Sequence, residues 1–226
     1  MPLSEVEVQR YARQLLLPGF GPVSQEFLRA ARVQVVGAGA IAGPAMTFLA
    51  AAGVGTLSID DGADVAATDP AHWLYPPERA GEPRAFAAIA ALKAVNGLVK
   101  PRVHATGFEP TAVLVCPESP VVARDAAERA QAAGLPHVVA QGDGDGGFVV
   151  SVPPGAPCYR CSASSPALPA TLGAAATLGG LAALELLLLL AQAAQEPRGR
   201  KLELVRGVPL ARATHRQAGC TCAPLS

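Results

Sequence analysis

The string Val33-Gln34-Val35-Val36-Gly37-Ala38-Gly39-Ala40-Ile41-Ala42-Gly43 narrows what this chain can become more than any other. A β-branched run ends on glycine, and a small-residue helix is expected from Ile41 to Ala52. Thr56-Leu57-Ser58-Ile59 reads as a second strand, so residues 32–61 form a strand-turn-helix-strand unit. Gly37, Gly39 and Gly43 keep side chains out of the turn, and with Ala40 they bring main-chain N–H groups and a helix start toward a phosphate. Asp60 and Asp61 end the second strand, about 20 residues further on, where a carboxylate accepts hydrogen bonds from ribose hydroxyls. NAD, FAD, S-adenosylmethionine and ATP all use such a turn, so the motif leaves the nucleotide open.

Alternation continues beyond this unit. A helix is expected from Pro83 to Leu98, strands at Val103–Ala105 and Ala112–Val115, a helix from Ser119 to Ala133 and a strand at Pro136–Ala140. This predicts an α/β fold with a parallel N-terminal sheet covered by helices on both faces. From Gly142 the pattern changes to a glycine-rich hairpin loop (142–147), an antiparallel strand at 148–152 and two strands near Leu202–Val205 and Leu210–Thr214. The sheet should therefore be mixed and Rossmann-like, with antiparallel C-terminal strands. Before it, Ser4-Glu5-Val6-Glu7 has the form of a capping box, opening a helix to Leu16, and a second short helix is expected from Ser24 to Arg32. Both read as surface arms. With no repeat or long linker, residues 1–226 read as one domain: an arm (1–31), a nucleotide-binding part (32–141) and an antiparallel part (142–226).

Lys plus Arg and Asp plus Glu number 18 each, so no net field draws the chain to nucleic acid or an anionic membrane. The N-terminus lacks the basic start and apolar run of a signal peptide, which makes a cytoplasmic location the default expectation. The apolar segment before Ala194 resembles a membrane span, but Glu185 lies inside it, and the expectation is a core or interface helix around Leu178–Ala194. Five cysteines in such a chain are metal ligands, catalytic groups or core residues before they are disulfides. Cys116, next to an apolar run, reads as a buried strand-end residue.

Three strings together resemble the ThiF/MoeB/HesA family of ubiquitin-activating-enzyme-like adenylyltransferases. They are Arg10-Tyr11-Ala12-Arg13-Gln14, Ala50-Ala51-Ala52-Gly53-Val54-Gly55 leading to Asp60, and Pro157-Cys158-Tyr159-Arg160-Cys161 paired with Cys220-Thr221-Cys222. The resemblance spans Arg10 to Cys222. It implies ATP as the nucleotide, Mg2+ as its companion and a homodimer in which Arg13 reaches the partner's ATP site. It also implies a structural zinc held by Cys158, Cys161, Cys220 and Cys222, although the family's second pair is C-x-x-C and C-x-C demands a tighter bend. The implied partner is a small ubiquitin-fold sulfur carrier ending in Gly-Gly, whose C-terminal carboxylate is adenylated.

Departures from the family pattern are as informative. Its phosphate-contacting Asn and Arg after the aspartate strand have no counterpart arginine in residues 64–73. Its phosphate-contacting lysine corresponds to Arg84, and its magnesium-serving aspartate to Glu118. The stretch from Ser162 to Thr171 has no cysteine, which argues against a thioester or persulfide step. Alternatives are a catalytically impaired relative acting as a nucleotide-binding or scaffolding subunit, and, less compatible with these strings, an NAD-dependent oxidoreductase.

Overall fold

The computed structural model describes residues 2–67, 74–162, 169–191, 199–220 and 222. Eight strands form one sheet in the order β3-β2-β1-β4-β5-β6-β7-β8. Strands β1 (Arg32–Val36), β2 (Thr56–Asp60), β3 (Lys100–Val103), β4 (Ala112–Val115) and the start of β5 (His137–Asp143) run parallel. Strands β6 (Gly146–Val152), β7 (Arg200–Val205) and β8 (Val208–Ala213) continue antiparallel from β5. The chain leaves β1 toward β2 and β3, then returns to place β4 on the other side of β1. That reversal opens a crevice at the carboxyl ends of β1 and β4, where ligands of open α/β sheets bind.

Helices cover both faces, as the alternation implies. Leu28 of α2 (Gly21–Ala30) packs on one face with α3 (Ala42–Ala51), α4 (Arg84–Val95) and the 20-residue helix α7 (Leu172–Ala191). The other face carries α5 (Pro120–Ala132) and the single turn α6 (Tyr159–Ser162), where Ala123, Ala127 and Tyr159 meet Val115, Val139 and Phe148. Alanine supplies much of this contact, which lets helices lie close to the sheet and explains how a core forms with 4% aromatic residues.

Several boundaries differ from the sequence expectation. The helix α2 begins three residues earlier and is no surface arm: Ser24, Gln25 and Leu28 are buried. The first helix, α1 (Glu5–Leu15), is mostly exposed but buries Tyr11, and its capping box through Ser4 and Glu7 is formed. Strand β3 precedes its expected place, because the register pairs Thr56 with Lys100 and Ile59 with Val103. The hairpin strands extend to Asp143 and Gly146, leaving only Gly144 and Asp145 between them. The helix α7 starts at Leu172, six residues before Leu178, because Gly173, Gly179 and Gly180 are accommodated inside it. Its expected end at Ala194 lies outside the described residues.

By length and composition α7 could cross a membrane, yet half of its apolar window is buried in the protein. Glu185, only 3% exposed, receives two N–H bonds from Arg200 Nε and Nη2, with the Nε reaching both carboxylate oxygens at 2.8 and 3.0 Å. A paired carboxylate seated against β7 identifies α7 as a helix packed on its own sheet. Leu184 and Leu188, one turn apart, remain exposed, as does Phe48 of α3 beside Gly180.

Candidate nucleotide site and cysteine cluster

Gly37 takes φ +87° and turns the chain off β1; its N–H donates to Asp60 O at 2.9 Å. A side chain there would be strained and would meet Pro117 Cα at 2.6 Å, so the first glycine of the turn packs on the exit of β4. At Gly39 a Cβ would stand 2.7 Å from Glu118 Oε1. Thus the topology brings Gly37, Gly39, Ala40 and Gly43 together with Glu118, a residue 75 or more positions away in sequence. Among the described residues no side chain caps the start of α3, whereas Ser4 and Ser119 cap α1 and α5. Gly43 N–H returns to Gly39 O at 3.0 Å and Pro44 has no N–H, so the amides of Gly39 to Ala42 are the ones that can meet a ligand at the crevice.

The two aspartates divide the work. Asp60 accepts from Gln34 Nε2 at 3.1 Å. Asp61 turns back into the glycine turn, accepting from Ala38 N–H at 2.6 Å and Ala63 N–H at 2.8 Å. Arg84 Nη1 lies 4.0 Å from Asp61 Oδ2 and 3.1 Å from Glu118 Oε1, so one guanidinium spans both acids at the mouth of the turn. It is carried there by a short zipper: Val65 N–H donates to Glu82 O, Gly81 N–H to Val65 O and Arg84 N–H to Ala63 O. Glu118 is 70% exposed at its side chain and can turn toward an incoming cation. Of the segment lacking the family's arginine, residues 68–73 lie outside the described residues.

Some participants were not legible beforehand. Buried Tyr75 donates its hydroxyl to Ala38 O at 2.7 Å, and Gln141 Nε2 donates to Pro117 O at 3.0 Å. Gly179 lets α7 approach so closely that a Cβ would stand 2.4 Å from Ile41 O, at the start of α3. None of the three belongs to a local string; only the fold shows what they touch.

The N-terminal arginine string docks on the alanine-glycine string. Tyr11 Oη accepts from Asn96 Nδ2 at 2.9 Å, and a Cβ on Gly53 would collide with the Tyr11 ring at 2.6 Å. Gln14 and Gln25 both donate to Ala52 O at 3.0 Å, and Arg10 Nη2 donates to Val95 O. Arg13 is the exception. It is exposed and has no hydrogen-bond or ion-pair partner among the described residues.

The four paired cysteines converge. Their sulfurs are separated by 3.8 Å (Cys158–Cys161), 3.6 Å (Cys158–Cys220), 3.7 Å (Cys161–Cys222) and 3.4 Å (Cys220–Cys222), and all four lie within 4.8 Å of one another. Four thiolates around a zinc at about 2.3 Å would be about 3.8 Å apart, so the donor set fits a closed tetrahedral ion. A turn at Ala218 and Gly219 leads into the C-x-C pair, with Cys220 N–H donating to Gln217 O. Gln217 N–H in turn donates to Cys161 Sγ at 3.4 Å. Burial pushes the Cys158 thiol up to about 12. Burial also opposes ionisation of Cys222, but donation from the Cys158 main chain and the neighbouring thiols brings it down to about 7. Cys116 is different: buried at the end of β4, its thiol is pushed up to about 12 by burial, against a weaker effect of the Ala140 main chain. It is buried at the strand end, as expected. A cavity of about 720 Å3 opens beside the cysteine cluster, between α5 and the turn at Gly219, and contains no residue of the glycine turn.

A glycine turn at a topological switch point, facing an arginine and two acids, is the arrangement in which open α/β sheets bind nucleotides. The chain belongs to the ThiF family, which it matches over residues 11–222. It is 34% identical over 188 residues to the adenylyltransferase and sulfurtransferase uba4 of Pyricularia oryzae, covering 74% of this chain and 38% of that protein. It is 36% identical over 171 residues to the adenylyltransferase and sulfurtransferase MOCS3 of Bos taurus, covering 70% and 38%. The chain thus spans well under half the length of these curated relatives. Among solved structures, E. coli MccB with ATP superposes with a TM-score of 0.82 at 16% identity, covering 97% of this chain and 75% of that one. PaaA superposes with a TM-score of 0.73 at 20% identity, covering 93% and 73%. At these identities the superpositions establish the shared fold.

Proposed function

We propose that this chain adenylates the C-terminal carboxylate of a small ubiquitin-fold sulfur carrier ending in Gly-Gly. The observation that carries the reading is the convergence of Arg84 and Glu118 on the mouth of the Gly37–Gly43 turn. In this reading a carboxylate oxygen of the carrier forms a bond to the α-phosphorus of ATP, and the bond from that phosphorus to the β-phosphate oxygen breaks. Acyl-adenylate and pyrophosphate result. Such a transfer needs positioning and neutralised charge more than an acid or a base. The amides of Gly39 to Ala42 and Arg84 would hold the phosphates, while Asp60 is the carboxylate available to ribose, since Asp61 braces the turn. Glu118 supplies a hard oxygen suited to Mg2+, which when bound would offset phosphate charge. Structural Zn2+ is the reading that the thiolate spacing supports for the cysteine cluster.

We further propose a homodimer. Every other polar residue of the arginine string is tied down within the subunit, so Arg13 is the one left to act across to a partner. The exposed Leu184, Leu188 and Phe48 supply an apolar face for pairing.

A second reading, a nucleotide-binding or scaffolding relative without turnover, is favoured by the Asp61 carboxylate occupying the Ala38 amide and by the absence of an arginine in residues 64–73. ATP–pyrophosphate exchange with carrier separates the two. In the first reading exchange is robust and is lost in both Arg13→Ala and Arg84→Ala. Mixing these two variants then restores about a quarter of wild-type exchange, because half of the re-formed dimers carry one intact composite site. ATP binding without exchange for any carrier would support the scaffold instead.

A further inference from the structure

Gln141 follows the last parallel pair of the sheet, Val115 with Val139, by two residues and pairs with Phe148 across the hairpin. Its side chain is 3% exposed. Nε2 donates to Pro117 O at 3.0 Å, and because a carbonyl can only accept, this bond fixes which end of the amide is which. The other end, Oε1, is buried and has no hydrogen-bond partner among the described residues. Buried acceptors are nearly always satisfied, so this one lacks a donor that a ligand could bring.

Its surroundings place it next to the chemistry. Pro117 is the residue packed on Gly37, and Glu118, which follows, overlies Gly39. The amide of Gln141 is therefore one residue removed from the wall of the nucleotide crevice. On its other side Gly142 admits Ala170, whose Cβ would stand 2.4 Å from a Cβ at position 142, and Thr171 N–H donates to Gly144 O at 2.9 Å. Gln141 thus sits between the crevice and the strand of chain that enters α7.

We propose that Gln141 Oε1 accepts the main-chain N–H of the substrate's terminal glycine, and so recognises the tail whose carboxylate is to be activated. The inference rests on the adenylation reading above. Its chemical basis is the nature of the two substrates. ATP presents mostly acceptors, which the amides of the glycine turn and Arg84 are suited to meet; its donors are the ribose hydroxyls and the adenine amine. A Gly-Gly tail has no side chains, so only its peptide groups can be recognised, and its N–H groups require acceptors. A buried, pre-oriented side-chain carbonyl is such an acceptor.

The test uses a carrier whose terminal glycine is replaced by N-methylglycine, which removes the N–H and keeps the carboxylate. Exchange is measured against carrier and ATP concentration for the wild-type chain and for Gln141→Leu, with thermal melts to verify folding. The expected result is that N-methylation raises the carrier concentration for half-maximal exchange about tenfold in the wild type and has no further effect in Gln141→Leu, while the value for ATP changes less than about twofold. Equal losses in both proteins would overturn the inference, as would a change confined to ATP, which would assign the acceptor to the adenine amine. Should Gln141→Leu fail to fold, an N-methyl carrier that performs as well as the unmodified one on the wild type overturns it by itself. Binding of both carriers to the chain with a non-hydrolysable ATP analogue is measured by calorimetry in parallel. Carrier binding without exchange would reject the adenylation reading and leave the N-methyl comparison to decide Gln141. If no Gly-Gly carrier in a panel either binds or supports exchange, both are rejected.

Discussion

Arg84 Nη1 and Glu118 Oε1 face each other at 3.1 Å across the glycine turn, joining the start of α4 to the exit of β4. A guanidinium that bridges two acids is held in one orientation, where a lysine would supply charge without the fork. Arg84→Lys should therefore retain ATP binding within about threefold but reduce exchange about tenfold, whereas Arg84→Ala should reduce exchange by about 100-fold. Glu118→Gln should raise the Mg2+ requirement and Glu118→Asp should not. Steady-state exchange titrated with Mg2+ reads all of these.

Gly179 and Ile41 make a second contact on which the turn depends. Replacing Gly179 with alanine would place a methyl 2.4 Å from Ile41 O, a backbone atom that cannot swing aside. The expected outcome is destabilisation by about 1–3 kcal/mol in urea unfolding, together with weaker ATP binding as the start of α3 shifts. The adjacent Gly180 has only Phe48 Cε2 at 3.7 Å, so Gly180→Ala serves as the control and should be tolerated.

The Glu185–Arg200 pair should respond asymmetrically. Arg200 is 42% exposed at its side chain and Glu185 3%. Arg200→Ala strands a buried carboxylate and should cost about 3–5 kcal/mol, while Glu185→Met leaves an arginine that can turn to water and should cost less than about 1 kcal/mol. Chemical denaturation of the two variants measures the difference.

Acid should loosen α1. Donation from the Ser4 main chain, opposed by some burial and aided by the Ser4 hydroxyl and Arg29, holds the Glu7 carboxyl below its ordinary value of 4.5. A group whose folded value is depressed stabilises the fold above its unfolded value, and that contribution is lost as pH falls through the folded one. Melting temperatures of wild type and Glu7→Gln should differ above about pH 4.5 and converge below it. Equal pH dependence in both would disprove the assignment.

Metal analysis of the purified chain should find about one zinc per chain, reduced to background in Cys158→Ser. Cys116→Ala should retain the metal, since that thiol is buried at the end of β4, apart from the cluster.

The parts of this fold that were legible in the sequence are those encoded by neighbours. The β-branched run into Gly37, the capping box at Ser4 and the alternation of strands and helices each depend on a few consecutive residues. So do the three family strings, and the structure explains why they coexist: Tyr11 rests on Gly53, and Cys158 and Cys161 meet Cys220 and Cys222. What was not legible depends on distant packing. The helix α2 was mistaken for a surface arm because its buried residues include Ser24 and Gln25, whose polarity hides the face turned inward. The start of α7 was missed because glycines that disfavour an isolated helix are required here for close approach to α3. Spacing pointed to the pair Asp60 and Asp61 without telling them apart; only the fold shows Asp61 turned back to the Ala38 amide and Asp60 accepting from Gln34. Gln34, Tyr75 and Gln141 carry no local signature at all.

The cysteine cluster has a consequence for the chain between its halves. Cys158 and Cys220 are 62 positions apart, and that interval contains α7, β7 and β8. An ion bound there would tie the two ends of that interval together in the folded chain, as a covalent cross-link does, and because the four thiols gather only on folding its binding would favour the fold. Unlike a cross-link, it would do so by mass action, adding about 1.4 kcal/mol for each tenfold rise in free metal above the dissociation constant. The helix that holds Ile41 in place through Gly179 lies inside this loop. The stability of the crevice at the glycine turn would then follow the logarithm of the free metal concentration around the protein.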